Sequence, residues 1–158
     1  GEIAGMKKSI DEVAENFRLG IEKAKADNKL SADQRFRNFP TGCCGPTSEL
    51  LARYLLDNGV KTELTYISGT YLDHSHAWLE MDNGHIIDIT ADQFRYYPEL
   101  FNFNIPVYIG RYSRTHKLFD IRTRDRCDNY YPLSDRKYLF QLSDKKLYDI
   151  IIESIDEL

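Results

Sequence analysis

The 158-residue chain reads as an α+β protein. Three observations predict that class. Apolar residues recur at helical spacing near both ends; extended runs rich in Thr, Tyr, Ile and Trp fill the middle; and Asn83-Gly84 sits between two such runs, a strong hairpin signal. Terminal helices around a central antiparallel sheet follow. The length suits a single domain over residues 1–158, with its core at about 36–125.

Ser9 and Glu12 fit a reciprocal capping box. Ile10, Val13, Phe17, Ile21 and Ala24 then predict an amphipathic helix to about Asn28. Leu30 to Gly42 is a loop, broken by Pro40 and Gly42. A second helix starts at Pro46 and carries Leu50, Leu51, Tyr54 and Leu55, with Asn58-Gly59 as its stop. Strands are expected over Thr62 to Ser68, His76 to Met81, His85 to Thr90, Ile105 to Ile109 and Lys117 to Arg122. Phe94 to Phe103 is an aromatic loop, and Asp125 to Pro132 reads as irregular. A closing helix over about Asp144 to Ile155 places Leu147, Ile150, Ile151 and Ile155 on one side.

The formal net charge of -4 argues against a nucleic-acid partner. Arg111, Arg114, Lys117, Arg122, Arg124 and Arg126 do cluster, but Asp120, Asp125 and Asp128 interrupt them, as on a solvated strand edge. The three cysteines, two of them adjacent, make a poor disulfide framework and suit a reducing compartment. No apolar run approaches the ~20 residues that span a bilayer, and no basic-then-apolar leader pattern opens the chain. A cytoplasmic location, or that of a delivered effector, is expected, with no membrane partner.

The residues that carry chemistry come in one order. Cys43 and Cys44 lie just before the second helix, His76 on a strand, and Asp88 on the next strand. A thiol needs a base to take its proton and a third group to fix the base's tautomer. A helix N-terminus favours a thiolate, which places Cys44 in the nucleophile's role; Cys43 is its rival. The plain alternative is two small buried hydrophobic residues. Asp88, among Ile86, Ile87 and Ile89, is costly to bury without a partner, and an imidazole on the neighbouring strand would supply one. The hairpin leaves His76 and Asp88 a few positions apart, so that a small shift or bulge would bring them level. Asp92 is a rival, better suited to a turn or cap. His74-x-His76 could chelate a metal, but no thiol pair at ligand spacing accompanies it, so no metal and no cofactor are expected. His85 and His116 read as ordinary surface residues.

Gly42-Cys43-Cys44, His76-Ala77-Trp78 and Asp88-Ile89-Thr90, with Gly59-Val60 at the helix exit, resemble the transglutaminase-like branch of the papain-like thiol fold, over roughly residues 40 to 92. The Gly59-Val60 distance favours Cys44 over Cys43. Arylamine N-acetyltransferases and lasso-peptide leader peptidases are more distant cousins. The resemblance implies a catalytic helix packed on an antiparallel sheet, here with extra helices at both ends. It implies thiol acyl chemistry on an amide of a peptide or protein substrate: hydrolysis, deamidation or acyl transfer. Cys44 is then the nucleophile, His76 the base and Asp88 its orienter. The Cys44 amide and a side chain from the preceding loop, Gln34 or Asn38, become the oxyanion donors. The chain departs from the family at Gly45-Pro46, where an aromatic residue often follows the cysteine. A silent protein-binding module of the same fold is the competing reading.

Overall fold

The described residues of the computed structural model are 8–127 and 133–158. Helix α1, Ile10–Ala26, begins at Ser9, whose hydroxyl accepts from the Glu12 amide at 3.2 Å. Asp11 and Glu12 in its first turn and Lys23 and Lys25 in its last complement the helix dipole. Its buried face, Val13, Phe17, Ile21 and Ala24, repeats every three to four residues. Helix α3, Asp144–Asp156, is capped the same way by Ser143 and packs on α1. The two cross closely at Gly20, where any side chain would collide with Ile155.

Helix α2, Cys44–Asp57, starts two residues earlier than the sequence suggested. Pro46 still fits its first turn, because the first intrahelical bond runs from the Thr47 amide to the Cys43 carbonyl at 2.9 Å. The helix stops at Asn58, whose side chain donates to the Tyr54 carbonyl, and Gly59 takes a left-handed φ of 78°.

Five strands form one antiparallel sheet in the order β4-β3-β2-β1-β5. They are β1 Leu64–Tyr71, β2 His74–Met81, β3 Ile86–Asp88, β4 Tyr108–Gly110 and β5 Asp120–Cys127. The β2–β3 hairpin turns through Asp82, Asn83 and Gly84, closed by the Met81 amide on the His85 carbonyl at 2.7 Å. Gly84, at φ 85°, takes the left-handed position. Leu64, Leu79, Met81 and Ile87 face the helices and join one core with α1, α2 and α3. Ile67, Trp78 and Ile86 face the other way, where Phe94, Leu100 and Phe119 cover them. The chain is thus an α+β protein of three helices and a five-stranded antiparallel sheet, with α2 lying on β1 and β2.

The larger differences from the sequence reading fall after residue 90. The aromatic loop contains two short 3-10 turns, Ala91–Phe94 and Pro98–Leu100. The strand expected at 105–109 shrinks to 108–110. The one expected at 117–122 becomes a 3-10 turn, His116–Leu118, followed by β5. Strand β5 is an edge strand with no apolar alternation, so its period is invisible in the sequence. It includes residues 125–127, read above as irregular; 128–132 lie outside the described residues. Arg124 pairs with Glu80 and Arg126 with Glu63, which makes the basic cluster a paired, solvated edge. Among the described residues no helix is long and apolar enough to cross a membrane.

Candidate active site

Cys43 and Cys44 part company at the start of α2. Cys43 caps the helix at φ -137° and buries its side chain in the helix-side core. Burial pushes its thiol up to about 12, only partly opposed by the neighbouring Thr47 hydroxyl, so it stays protonated. Cys44 is the first helical residue and half-buried. Burial pushes its thiol up too, but the His76 imidazole and the Ala77 amide outweigh that and hold it below its ordinary value.

No bulge is needed to join His76 to Asp88. Leu79 pairs with Ile87 and Glu80 with Ile86. Continuing that register sets Asp88 opposite Trp78, with His76 as its diagonal neighbour on the same face. Diagonal side chains in an antiparallel pair can meet when one is long. His76 Nε2 lies 2.7 Å from Asp88 Oδ2, and both residues are buried. Burial would lower the His76 pKa, but Asp88 and Cys44 carry it above its ordinary value. Burial would likewise raise that of Asp88, but His76 and His116 hold it far below the usual carboxylate range.

His116 corrects the sequence reading. It is not a surface residue: it is 2% exposed, and its Nε2 lies 2.6 Å from the same Asp88 oxygen. Ser113 Oγ accepts from the His116 backbone amide at 3.1 Å and lies 2.6 Å from its Nδ1. The serine hydrogen is then free to donate to Nδ1, which leaves Nε2–H to donate to Asp88. Asp88 Oδ1 accepts from the Thr90 amide at 2.9 Å. The carboxylate is therefore ringed by two imidazoles and a backbone amide, which is how a fully buried anion survives here.

His76, Asp88 and His116 are also the one group of ligand-capable side chains among the described residues. The 2.6 and 2.7 Å separations are hydrogen-bond lengths. Ligands of tetrahedral zinc at about 2.0–2.1 Å from the ion lie roughly 3.3 Å apart, so this cluster is built to share protons. His74 is not part of it; its ring packs edge-on against Phe94 and Tyr97. His85 lies half-buried beside the hairpin.

Two more residues went unnoticed in the sequence. Gln93, on the 3-10 turn after β3, places its side-chain nitrogen 3.0 Å from His76 Nδ1. With Nε2–H given to Asp88, Nδ1 is the nitrogen left to exchange a proton, and the Gln93 carboxamide sits beside it. Arg18 of α1 makes a bidentate pair with Asp92, both bonds 2.8 Å, and also donates to the Ile89 carbonyl. Asp92 does lie in a turn, as expected. Its role is to clasp α1 to the end of β3. No local sequence pattern signals either contact, because each joins distant segments.

The expected oxyanion side chains are not drawn in. Gln34 and Asn38 are both exposed, and neither hydrogen-bonds to Cys44 or His76. Their loop is held by Asp33, which accepts from the Arg35 and Leu142 amides, both at 2.9 Å.

No family model, curated protein or solved structure matches the chain.

Proposed function

We propose that the protein is a thiol-dependent acyl enzyme of the transglutaminase-like, papain-like kind, acting on an amide bond of a peptide or protein. The observation that carries this reading is a buried His76–Asp88 pair whose imidazole neighbours the half-buried thiol at the start of α2 and lowers its pKa. In this reading the Cys44 thiolate adds to the amide carbonyl carbon. The carbon–nitrogen bond breaks as His76 Nδ1–H gives its proton to the leaving amine. The resulting thioester is resolved by water or an amine, deprotonated by His76, which releases the acid or new amide and restores the thiol. Asp88 keeps the imidazole in the tautomer that offers Nδ1 to sulfur. The reading calls on no cofactor and takes the chain as a single domain that works in the cytoplasm or as a delivered effector.

Limiting iodoacetamide followed by peptide mass spectrometry tests the proposal. Cys44 is expected to be modified before Cys43 and Cys127. His76→Ala slows that labelling at neutral pH, while His74→Ala does not. Equal labelling of all three thiols would favour the silent binding module.

A further inference from the structure

We propose that Tyr66 completes the oxyanion hole of this site, donating its hydroxyl hydrogen to the developing oxyanion beside the Cys44 amide. This rests on the thiol-enzyme reading above and supplies the donor that Gln34 and Asn38 do not.

Four observations lead there. First, the residue after the nucleophile is Gly45, and Tyr66 lies close against the place its side chain would take. A Cβ on Gly45 would lie 3.1 Å from Tyr66 Oη. The phenol thus reaches the first turn of α2 from the sheet, one residue from the thiol. Second, the strands aim it there. Tyr66 pairs with Leu79 and Ser68 with Ala77, so Tyr66 shares the helix-side face with Leu79 and stands diagonal to Ala77, whose amide reaches the Cys44 sulfur. Third, the hydroxyl has no hydrogen-bond partner among the described residues, although the ring is half-buried. The Tyr112 and Tyr148 hydroxyls, by contrast, bond Glu80 and Asp57, both at 2.6 Å. The Tyr66 hydroxyl hydrogen is therefore free to meet a ligand. Fourth, burial and the neighbouring Glu49 and Cys44 push the phenol up to about 12, so it remains a donor throughout the working pH range.

The chemistry balances without any further reactant. When sulfur adds to the carbonyl carbon, the C=O electron pair moves to oxygen. Tyr66 O–H and Cys44 N–H bond that oxygen and keep their protons. As the pair returns, the carbon–nitrogen bond breaks and His76 supplies the proton to nitrogen. The amides of Cys44 and Gly45 lie ahead of the first intrahelical bond, at the positive end of the helix dipole, which adds to the same stabilisation.

The test compares two reactions of Cys44 in the full chain. Iodoacetamide alkylates sulfur at a saturated carbon and forms no oxyanion; p-nitrophenyl acetate acylates it through one. Tyr66→Phe keeps the ring and removes the donor. Alkylation is expected to stay within about twofold of wild type. Acetylation, followed as p-nitrophenolate release and as the acetyl mass on the Cys44 peptide, is expected to fall at least ~10-fold, since loss of one oxyanion donor costs an amide-cleaving enzyme on the order of 10²–10³. Gly45→Ala, which crowds the phenol, is expected to give the same split in smaller measure. Acetylation that survives Tyr66→Phe unchanged overturns the proposal and leaves the thiol-enzyme reading standing. Parallel loss of both reactions overturns it too, and makes Tyr66 a support of the thiolate. A wild-type Cys44 that neither reagent modifies removes the enzyme reading, and this proposal with it.

Discussion

Replacing Asp88 with asparagine separates the chemistry of the site from its packing. The carboxylate oxygen Oδ2 accepts from His76 Nε2 at 2.7 Å and His116 Nε2 at 2.6 Å, while Oδ1 accepts from the Thr90 amide at 2.9 Å. Asparagine keeps one oxygen. Turned toward the histidines, its NH2 would face the Thr90 N–H, donor against donor. Turned the other way, its oxygen keeps Thr90, and its NH2 faces two ring nitrogens that must both become acceptors. Each histidine then carries its hydrogen on Nδ1. His116 can place that hydrogen on Ser113 Oγ, and Gln93 can turn its amide oxygen to His76. The fold therefore survives. Two charge-assisted bonds become neutral ones, at about 1 kcal/mol each, or ~2 kcal/mol in all. At about 2–4 °C per kcal/mol for a chain of this size, Tm falls by roughly 4–8 °C. Reactivity suffers more, because His76 Nδ1 can no longer take the thiol proton. Cys44 returns at least to its ordinary value near 9.0, which leaves about 1% thiolate at pH 7. The higher intrinsic nucleophilicity of that thiolate offsets part of the loss. Alkylation of Cys44 at pH 7 is expected to slow, because the thiolate fraction falls, measured by iodoacetamide labelling beside a thermal melt. An Asp88→Asn protein that melts lower yet alkylates at the wild-type rate would show that the carboxylate holds the fold and not the tautomer.

The alkylation rate of Cys44 is expected to rise with pH through a value below 9.0, because the thiol is depressed, and to bend again as pH passes through the raised value of His76 and the imidazolium partner is lost; a single inflection at or above 9.0 would contradict the pairing. Linkage adds an acid limb: the depressed Asp88 contributes stability fully above 3.8 and loses it as pH falls toward its folded value, so wild-type Tm drops on acidification below pH 4 and that of Asp88→Asn drops less. Asp92→Asn strips the partner from a buried arginine and should cost ~3 kcal/mol, a Tm drop of roughly 6–12 °C by calorimetry, with Cys44 alkylation at 25 °C unchanged. His116→Phe removes one donor from Asp88, which concentrates the carboxylate on His76; the second bend in the alkylation profile is expected to move to higher pH while Tm falls, and a bend that stays in place would deny His116 any influence on the base.

The helices were legible because periodicity and caps are local: Ser9 and Ser143 cap their helices, and Val13 through Ala24 mark the buried stripe. Asn83-Gly84 signalled the β2–β3 hairpin for the same reason, and that hairpin brings His76 to Asp88. The approach needed no bulge, because side chains two positions off register still meet on one face. Past residue 90 the local rules fail. His116 sits in a mixed charged stretch with nothing in its spacing to betray burial, and it reaches Asp88 only because the turn at Ser113 folds it back under Trp78 and Tyr108. Gln93 and Arg18 act across 17 and 74 residues of sequence, and no periodicity reports such distances. Tyr66 looked like one more strand tyrosine; only the missing side chain at Gly45 shows what it approaches.

Gln93 gives the site its movable part. The His76 ring is wedged: Asp88 holds one nitrogen at 2.7 Å, and Phe94 meets its face edge-on with centroids 4.8 Å apart. A thiol enzyme asks its imidazole to gain and lose a proton in every cycle, and a neighbour that only donates, or only accepts, would resist one half of that cycle. A carboxamide does neither for long. Half a turn about its last side-chain bond exchanges NH2 for oxygen in front of Nδ1, so the same residue greets the bare nitrogen and the protonated one. Side-chain rotations of this kind run far faster than any loop or hinge. In the proposed reaction the base thus stays rigid while the adjustment happens in a three-atom rotor beside it.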